Sequence, residues 1–215
     1  MEQCSTIIGQ CTILIKLVAR ATRTPSKKIG PEVLGAALEI LNHEGPDGFT
    51  VRAIALRANV APMAIYNHFD GVNGVIETLW IEGFETLRDA LTIHTNDAND
   101  DLMKAALAYR SFALEHRGLY TVMFMHRFRG FQPSISSAQL AAQTFQSLVT
   151  NVERCQENGF FPHALANDAA QVIWSACHGY VALELLGINF ASERDRTFQL
   201  LLETLRDGFH QRNFT

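Results

Sequence analysis

The sequence contains no uninterrupted apolar run near the roughly 18 residues that a membrane-spanning helix needs, so we expect no membrane segment. Cysteine occurs only four times, at Cys4, Cys11, Cys155 and Cys177, and no two of these have the short spacing of a zinc site. A chain of 215 residues does not need disulfides to build a stable core. We therefore expect free thiols in a reducing, cytoplasmic setting.

Signatures of catalysis and of cofactor binding are also missing. The eight histidines include no His-Glu-x-x-His pair, and the glycines form no phosphate-binding loop. We therefore expect no enzymatic activity, no cofactor and no metal. An all-α enzyme remains the least favoured alternative.

Residues 1–28 are interpreted as an N-terminal extension and basic arm. The apolar stretch within residues 1–17 follows Glu2 and contains Lys16 near its end, whereas a secretion signal carries its positive charge first. We expect residues 1–17 to be poorly ordered. All charged residues from position 16 to 28 are positive: Lys16, Arg20, Arg23, Lys27 and Lys28. Such an arm suits a phosphate backbone, although a solvated tail is the alternative.

The remaining sequence predicts an all-α fold of about nine helices, because apolar residues recur at helical spacing and no segment reads convincingly as a strand. The first helix is expected to begin with Pro31 in its first turn and to end before Gly45. Thr50 is a predicted N-cap for a helix at 51–58, and a third helix is opened by Ala61 and Pro62. Six further helices are expected, at 75 to 93 or 94, 102–116, 118 to 125 or 127, 134–158, 164–186 and 192–210.

The two short helices after Thr50 are joined by a tight turn. Asn59 tolerates a left-handed backbone, and Val60 can fill the corner between the helices. This pattern is typical of a helix-turn-helix, in which the second short helix enters the major groove of DNA. Any small three-helix bundle could share it. We accordingly expect a DNA-binding head at residues 29–74 and a second domain, the body, at residues 75–215.

The segment from Thr50 to Leu79 resembles the tetracycline-repressor (TetR) family of bacterial regulators. The matching features are Thr50, Ile54-Ala55, Ala58-Asn59-Val60 and Tyr66-x-His68-Phe69. The resemblance implies a ligand-responsive transcriptional regulator that binds a palindromic operator in double-stranded DNA as a homodimer. Repression is favoured over activation. A constitutive DNA-binding dimer without an effector is the alternative.

Candidate DNA-binding residues follow from this arrangement. They are Lys27, Lys28, Thr50, Arg52, Ala61, Pro62, Met63, Ala64, Tyr66, Asn67 and His68. Methyl groups such as those of Met63 and Ala64 can touch thymine but cannot recognise guanine through paired hydrogen bonds, so we expect DNA shape to share in specificity. For Tyr66, the alternative to a DNA contact is a partly buried position in the core. The sequence departs from the family pattern at Val72, where a phosphate-contacting lysine is usual, and at Ala61, where a serine cap is usual.

Aromatic side chains, and the polarisable side chain of methionine, are concentrated in the body. Candidate ligand-binding residues are Phe112, His116, Tyr120, Met123, Phe124, Phe128, Phe145, Trp174 and His178, with His116, His178 and Glu184 as polar anchors. Trp174, His178 and Gly179 are similar to the W-x-x-x-H-G (WHG) signature of one ligand-binding class of the same family. The resemblance implies a cavity for a hydrophobic or aromatic small molecule. Ordinary core packing, or close helix crossing at His178 and Gly179 in a dimer, are the alternatives.

The last two helices are expected to pair with those of a second copy as a four-helix bundle. Leu183, Leu186, Phe198, Leu201, Leu202 and Leu205 are the proposed contributors. Ligand binding is expected to shift the helix from Val75 to His94 and so change the spacing of the two heads.

Overall fold

The computed structural model describes residues 26–161 and 165–211, and the side chains of residues 29–161 and 165–209. Within these ranges there are nine α-helices and no strand, which confirms the all-α prediction. The helices are α1 (Ser26–His43), α2 (Val51–Arg57), α3 (Pro62–Phe69), α4 (Val72–Leu91), α5 (Ala98–Glu115), α6 (Arg117–Tyr120), α7 (Ile135–Glu157), α8 (Ala166–Leu185) and α9 (Arg194–Gln211), with a 3₁₀ turn at Pro46–Gly48 and a π-helical turn at Thr121–Met125.

Several sequence-based expectations fall outside this part of the chain. They concern the extension at 1–17, Cys4, Cys11, and the side chains of Lys27 and Lys28. Cys155 and Cys177 are described; both are free thiols, and both are buried. No helix among the described residues combines the length and the apolar character that crossing a bilayer requires.

Polar caps and left-handed residues determine where several of these helices begin or end. The Thr50 hydroxyl accepts a hydrogen bond from the Ala53 amide (3.2 Å), and Ser134 caps α7 in the same way. Gly159 and Gly187 follow α7 and α8 with φ of 82° and 74°, which a side chain would oppose.

Three helices begin earlier than predicted. Helix α1 starts at Ser26, which puts Pro31 in its interior, and Ile29 extends its packing against the core. Helix α4 starts at Val72 instead of Val75. Helix α5 starts at Ala98 because Asp97 caps it, accepting a bond from the Asp100 amide (3.0 Å).

The segment predicted as one helix from Gly118 to Met125 or Arg127 is a four-residue α6 that continues as the π-helical turn and ends at Met125. This segment packs between the two halves of the molecule. Gly118 of α6 lies so close to α1 that an added Cβ would be 3.0 Å from Asn42 Oδ1 and 3.1 Å from Leu38 Cδ2. Head and body are therefore in contact beyond the connecting helix.

Helix α4 belongs to both halves of the molecule. Its first turns bury Val75, Ile76 and Leu79, each at most 1% exposed, and contact the head helices. Its later turns bury Phe84 and Leu87 against α5 and α7. One continuous apolar core therefore runs along α4 from the head into the body.

Candidate nucleic-acid interface and ligand cavity

Helices α2 and α3 meet at a sharp corner. Asn59 has φ of 53°, the left-handed conformation that the sequence predicted. The Val60 amide donates to the Ala55 carbonyl (3.0 Å), which closes the end of α2. Ile54 and Ile65 are fully buried on the facing sides of the two helices. The corner therefore holds α3 in one orientation relative to α2.

The opposite face of α3 is open to solvent. Met63 is 63% exposed and Tyr66 is 53% exposed, which places Tyr66 on the surface and argues against the core alternative. Ala61, Pro62, Asn67 and His68 are also exposed, and Ala64 is half-buried. The Tyr66 ring lies over Gly71, where an added Cβ would be 3.2 Å from Tyr66 Cε1 and φ is +89°. The ring is thus supported against the start of α4.

Little positive charge is available on the described part of the head. Arg52 is exposed and makes no ion pair with a described carboxylate. Arg57 is engaged by Glu44 and by Glu39, the latter at 3.7 Å.

Ala61 provides no side-chain cap for α3, as the sequence indicated.

A cavity of about 290 Å³ lies between α4, α5, α7, α8 and the π-helical turn. It is lined by Trp80, Phe84, Leu87, Leu91, Leu102, Ala105, Ala106, Tyr109, Met123, Phe124, Ala141, Thr144, Phe145, Ser147, Leu148, Asn151, Ile173, Trp174 and Cys177. No charged side chain is part of this lining. At Thr144, Ser147 and Asn151 the cavity adjoins a more polar cleft of about 260 Å³ that includes Arg88 and His94.

Four of the nine predicted ligand-binding residues line this cavity: Met123, Phe124, Phe145 and Trp174. Five do not. Phe112 is buried with its ring 5.3 Å from that of His116, and His116 is exposed after the end of α5. Phe128 packs against Phe49 with ring centroids 5.3 Å apart.

The other two, Tyr120 and His178, lie behind the cavity wall in a hydrogen-bonded cluster. This tyrosine–histidine cluster consists of Tyr109, Tyr120, Trp174 and His178. Trp174 Nε1 donates to the Tyr109 hydroxyl (3.3 Å), which lies 2.9 Å from the Tyr120 hydroxyl. The Tyr120 hydroxyl lies 2.7 Å from His178 Nδ1, and the Tyr109 hydroxyl lies 3.1 Å from the same nitrogen.

The members of the cluster are uncharged near neutral pH. Burial raises the pKa of Tyr109 to about 12 and raises that of Tyr120 further. Burial lowers the pKa of His178, which disfavours its protonated form. Neutral His178 can accept at Nδ1, so the shortest contact is best satisfied by donation from the Tyr120 hydroxyl. The Trp-x-x-x-His pair of α8 thereby binds α5 and α6.

Glu184 is not a cavity anchor, which corrects the sequence expectation. Its side chain is 6% exposed and accepts two hydrogen bonds from Arg110 (2.8 and 2.9 Å). Arg110 also contacts Asp195 at 2.8 Å and lies over the Phe198 ring. This ion pair connects α5, α8 and the start of α9.

Two residues predicted for the dimer contact are buried within one copy of the chain. Phe198 is 0% exposed and Leu202 is 4% exposed, so both belong to the protomer's own core. Two other predicted residues, Leu183 and Leu186, are exposed, and so are the apolar side chains of Ile188, Phe190 and Leu200. In the described ranges, no group of three or more His, Cys, Asp and Glu side chains is arranged to hold a metal ion.

Sequence reasoning missed most of the cavity wall. Trp80, Phe84, Leu87 and Leu91 of α4 line it, as do residues of α5 and α7. The sequence predicted that the helix from Val75 to His94 shifts on ligand binding, but it named none of that helix's side chains as part of the ligand site.

Comparison with known proteins gives two family matches in one chain. The model for the tetR family of bacterial regulatory proteins matches residues 33–77, and a model for the tetracyclin repressor-like C-terminal domain matches residues 102–205. The chain is 28% identical over 201 residues to Rv0681 of Mycobacterium tuberculosis, an uncharacterized HTH-type transcriptional regulator, covering 92% of this chain and 87% of that protein.

Solved structures share the fold. A protein with unknown function from Rhodococcus sp. RHA1 superposes with a TM-score of 0.73 and 25% identity, covering 85% of this chain and 96% of that chain. A variant of TetR from Acinetobacter baumannii AYE, in complex with minocycline, has a TM-score of 0.59 and 24% identity, covering 85% of this chain and 97% of that chain.

Proposed function

Because the chain belongs to the TetR family of bacterial transcriptional regulators, we propose that it is a repressor that binds a palindromic operator as a homodimer and is released by a small-molecule effector. Regulation of transcription through DNA binding follows from the membership, and the family consists of regulators rather than enzymes. The observation that carries the proposal is the solvent-exposed face of α3 beside the Asn59 corner, with Met63 and Tyr66 more than half exposed.

We assign DNA binding to residues 29–74, with residues 1–28 as a basic arm. Thr50 and Arg52, at the start of α2, would contact phosphate through the helix N-terminus and the guanidinium. Met63 and Ala64 would face base edges, and Asn67 would add a polar contact. Tyr66 and His68 would contact the DNA backbone. Lys27 and Lys28, in the first turn of α1, would add to the electrostatic contact.

The DNA interface can be tested with full-length protein and a duplex that it selects from a randomised pool. Fluorescence anisotropy over a KCl series should give steeply salt-dependent binding. Tyr66→Ala should weaken binding, and Met63→Ala should reduce the preference for the selected duplex over a mixed-sequence duplex. Lys104→Ala, which removes an exposed cation in the body, is the control. Wild-type protein that binds no duplex at low ionic strength would refute the proposal.

Dimerisation is assigned to the exposed apolar side chains of α8, α9 and the loop between them. Phe190 is 96% exposed, Leu186 61% and Leu200 59%, which a lone soluble protomer would rarely leave open together. A two-fold four-helix bundle would cover them. Analytical ultracentrifugation should give a dimer for the wild type and a shift toward monomer for Leu186→Glu with Leu200→Glu. An unchanged sedimentation coefficient in that variant would refute this interface.

The effector is assigned to the 290 Å³ cavity, in a body of the WHG class. A charge-free lining favours a neutral hydrophobic or aromatic molecule, because burying an unpaired charge there would be costly. Thr144 and Asn151 offer hydrogen bonds at one edge. Helix α4 carries Trp80 and Phe84 in the cavity wall, so a ligand that favours one α4 position would change the head spacing.

The cavity can be tested by filling it. Ala141 lines the cavity, and Ala138 lies exposed one turn earlier on α7. Ala141→Phe should abolish the melting-temperature shift produced by neutral aromatic compounds, whereas Ala138→Phe should retain it. Both variants should bind the selected duplex like the wild type. A panel that produces no shift in the wild type would favour a constitutive DNA-binding dimer.

A further inference from the structure

The loop that follows the π-helical turn lies against the head. The Phe128 ring is 5.3 Å from the ring of Phe49, the residue immediately before the Thr50 cap. The Asn73 side-chain amide, in the first turn of α4, donates to the Gly130 carbonyl (3.2 Å). These two contacts hold residues 128–130 beside the starts of both α2 and α4.

This loop carries two arginines that face solvent. Arg127 and Arg129 are exposed, and the Phe128 between them is half-buried. Neither guanidinium forms an ion pair with a carboxylate in the described ranges. Glu77, one turn along α4 from Asn73, is already engaged by Ser134 and Ser137. Both positive charges are therefore available to an anion outside the protein.

The same end of the molecule is where DNA is proposed to bind. Asn73 follows Gly71 by two residues, and the exposed Tyr66 ring lies over Gly71. The head itself supplies few cations, because Arg57 is engaged by two glutamates and α4 begins with the apolar Val72. A duplex against α3 would bring a dense line of phosphates to a surface where the loop holds two unpaired guanidiniums.

We infer that Arg127 and Arg129 bind phosphates of the operator flanking the α3 groove, so that the body contributes directly to the DNA interface. This inference rests on the proposed DNA-binding function. Guanidinium groups suit the task because they can bind phosphate oxygens in a bidentate manner and stay charged at any physiological pH.

The test uses the full-length double variant Arg127→Ala/Arg129→Ala and the selected duplex described above. Each phosphate contact contributes a slope of roughly 0.9 to log K against log salt, which corresponds to roughly a tenfold gain in affinity at about 0.1 M KCl. A dimer that loses one contact per protomer should show a slope lower by about 1.8 and a Kd higher by roughly 60-fold at about 0.1 M KCl, and loss of both contacts per protomer should lower the slope by about 3.6. Arg127→Lys/Arg129→Lys should restore most of the slope.

The control is Arg88→Ala/Lys104→Ala, which removes one exposed cation from the last turn of α4 and one from the second turn of α5. Both positions lie away from the head. It should leave the slope nearly unchanged. A test variant with the slope of this control would overturn the inference, and so would a higher Kd without a lower slope. If the wild type binds but the test variant binds identically, only this inference fails. If the wild type binds no duplex, the proposed function fails first.

Discussion

The tyrosine–histidine cluster gives a stability prediction that can be calculated from its contacts. Tyr120→Phe removes a fully buried hydroxyl that is bonded to Tyr109 (2.9 Å) and His178 (2.7 Å). The ring contacts of Tyr120 remain, and His178 Nδ1 keeps the Tyr109 hydroxyl at 3.1 Å. Since about one net hydrogen bond is lost without replacement, the free energy of unfolding should fall by about 1–2 kcal/mol.

Tyr109→Phe should be more costly than Tyr120→Phe. It leaves the contact between Tyr120 and His178 intact but removes the acceptor of Trp174 Nε1. A donor left without a partner adds a desolvation penalty, so the expected loss is about 2–4 kcal/mol. Tyr180→Phe is the matched control, because its hydroxyl bonds the Arg194 carbonyl at the protein surface. We expect the control to cost below about 1 kcal/mol.

Urea unfolding at one fixed protein concentration measures these losses, since dimerisation would otherwise contribute to the apparent stability. In a chain of this size, 1 kcal/mol corresponds to about 2–4 °C in melting temperature. The Tyr109→Phe/Tyr120→Phe double variant should depart from additivity by at least about 0.5 kcal/mol, because both hydroxyls belong to one network. Additive effects, or a Tyr120→Phe loss no larger than that of Tyr180→Phe, would refute the reasoning.

Three further predictions concern pH, backbone packing and thiol reactivity. Burial lowers the pKa of His178 below the unfolded value of about 6.5. The contribution of neutral His178 to stability should therefore be fully present above about pH 6.5 and be lost as the pH falls from there through the folded-state pKa. Melting curves of His178→Gln over the same pH range should lack this loss of stability. Gly74→Ala should lower the free energy of unfolding, measured in urea, by about 3 kcal/mol, because the new Cβ would overlap the Phe69 carbonyl. Gly35→Ala is the control and should not lower it, because the space around Gly35 is open. Burial raises the pKa of Cys155 to about 11 and that of Cys177 to about 12, so peptide mass spectrometry should find both resistant to iodoacetamide at pH 8 until the protein is unfolded.

The head could be predicted from sequence because its determinants are local. Thr50 caps α2 through a residue three positions away, and the Asn59 turn depends on the conformational range of a single residue. Ile54 and Ile65 appeared as apolar positions with helical spacing, and both are fully buried. Signals of this kind lie within a few residues of the feature that they determine.

The buried position of Asp101 in the first turn of α5 could not be predicted in this way, because one of its partners is distant in the sequence. The sequence predicted a helix at 102–116, which left Asp101 outside it, yet Asp101 is 0% exposed. Its carboxylate accepts hydrogen bonds from Thr95, which lower its pKa, and from Arg154, which lies 53 residues away on α7. Hydrophobic periodicity predicts that a carboxylate lies on the surface, even where it is buried. The predicted start of α5 was therefore later in the chain than the observed one.

Which residues line the cavity depends on which helices face one another. Of two buried residues close together on one helix, one can line the cavity while the other does not. Tyr109 and Phe112 are three residues apart on α5 and both are buried, but only Tyr109 lines the cavity. Aromatic composition alone therefore selected Phe112 and omitted Tyr109. The contribution of α4 was missed because the sequence pattern of an amphipathic helix is the same whether its apolar face packs against a solid core or lines a cavity.

The Trp174 and His178 pair illustrates what spacing can and cannot establish. Four residues apart on α8, the two side chains must share one face, and this much follows from helical geometry. Their common target, the Tyr109 hydroxyl, lies on another helix and has no sequence signal of its own. An added Cβ at Gly179 would meet nothing within 4 Å inside the protomer, so close approach within one chain does not explain this glycine. The pair therefore determines how α8 packs on α5 and α6, and Gly179 remains available to a second copy of the chain.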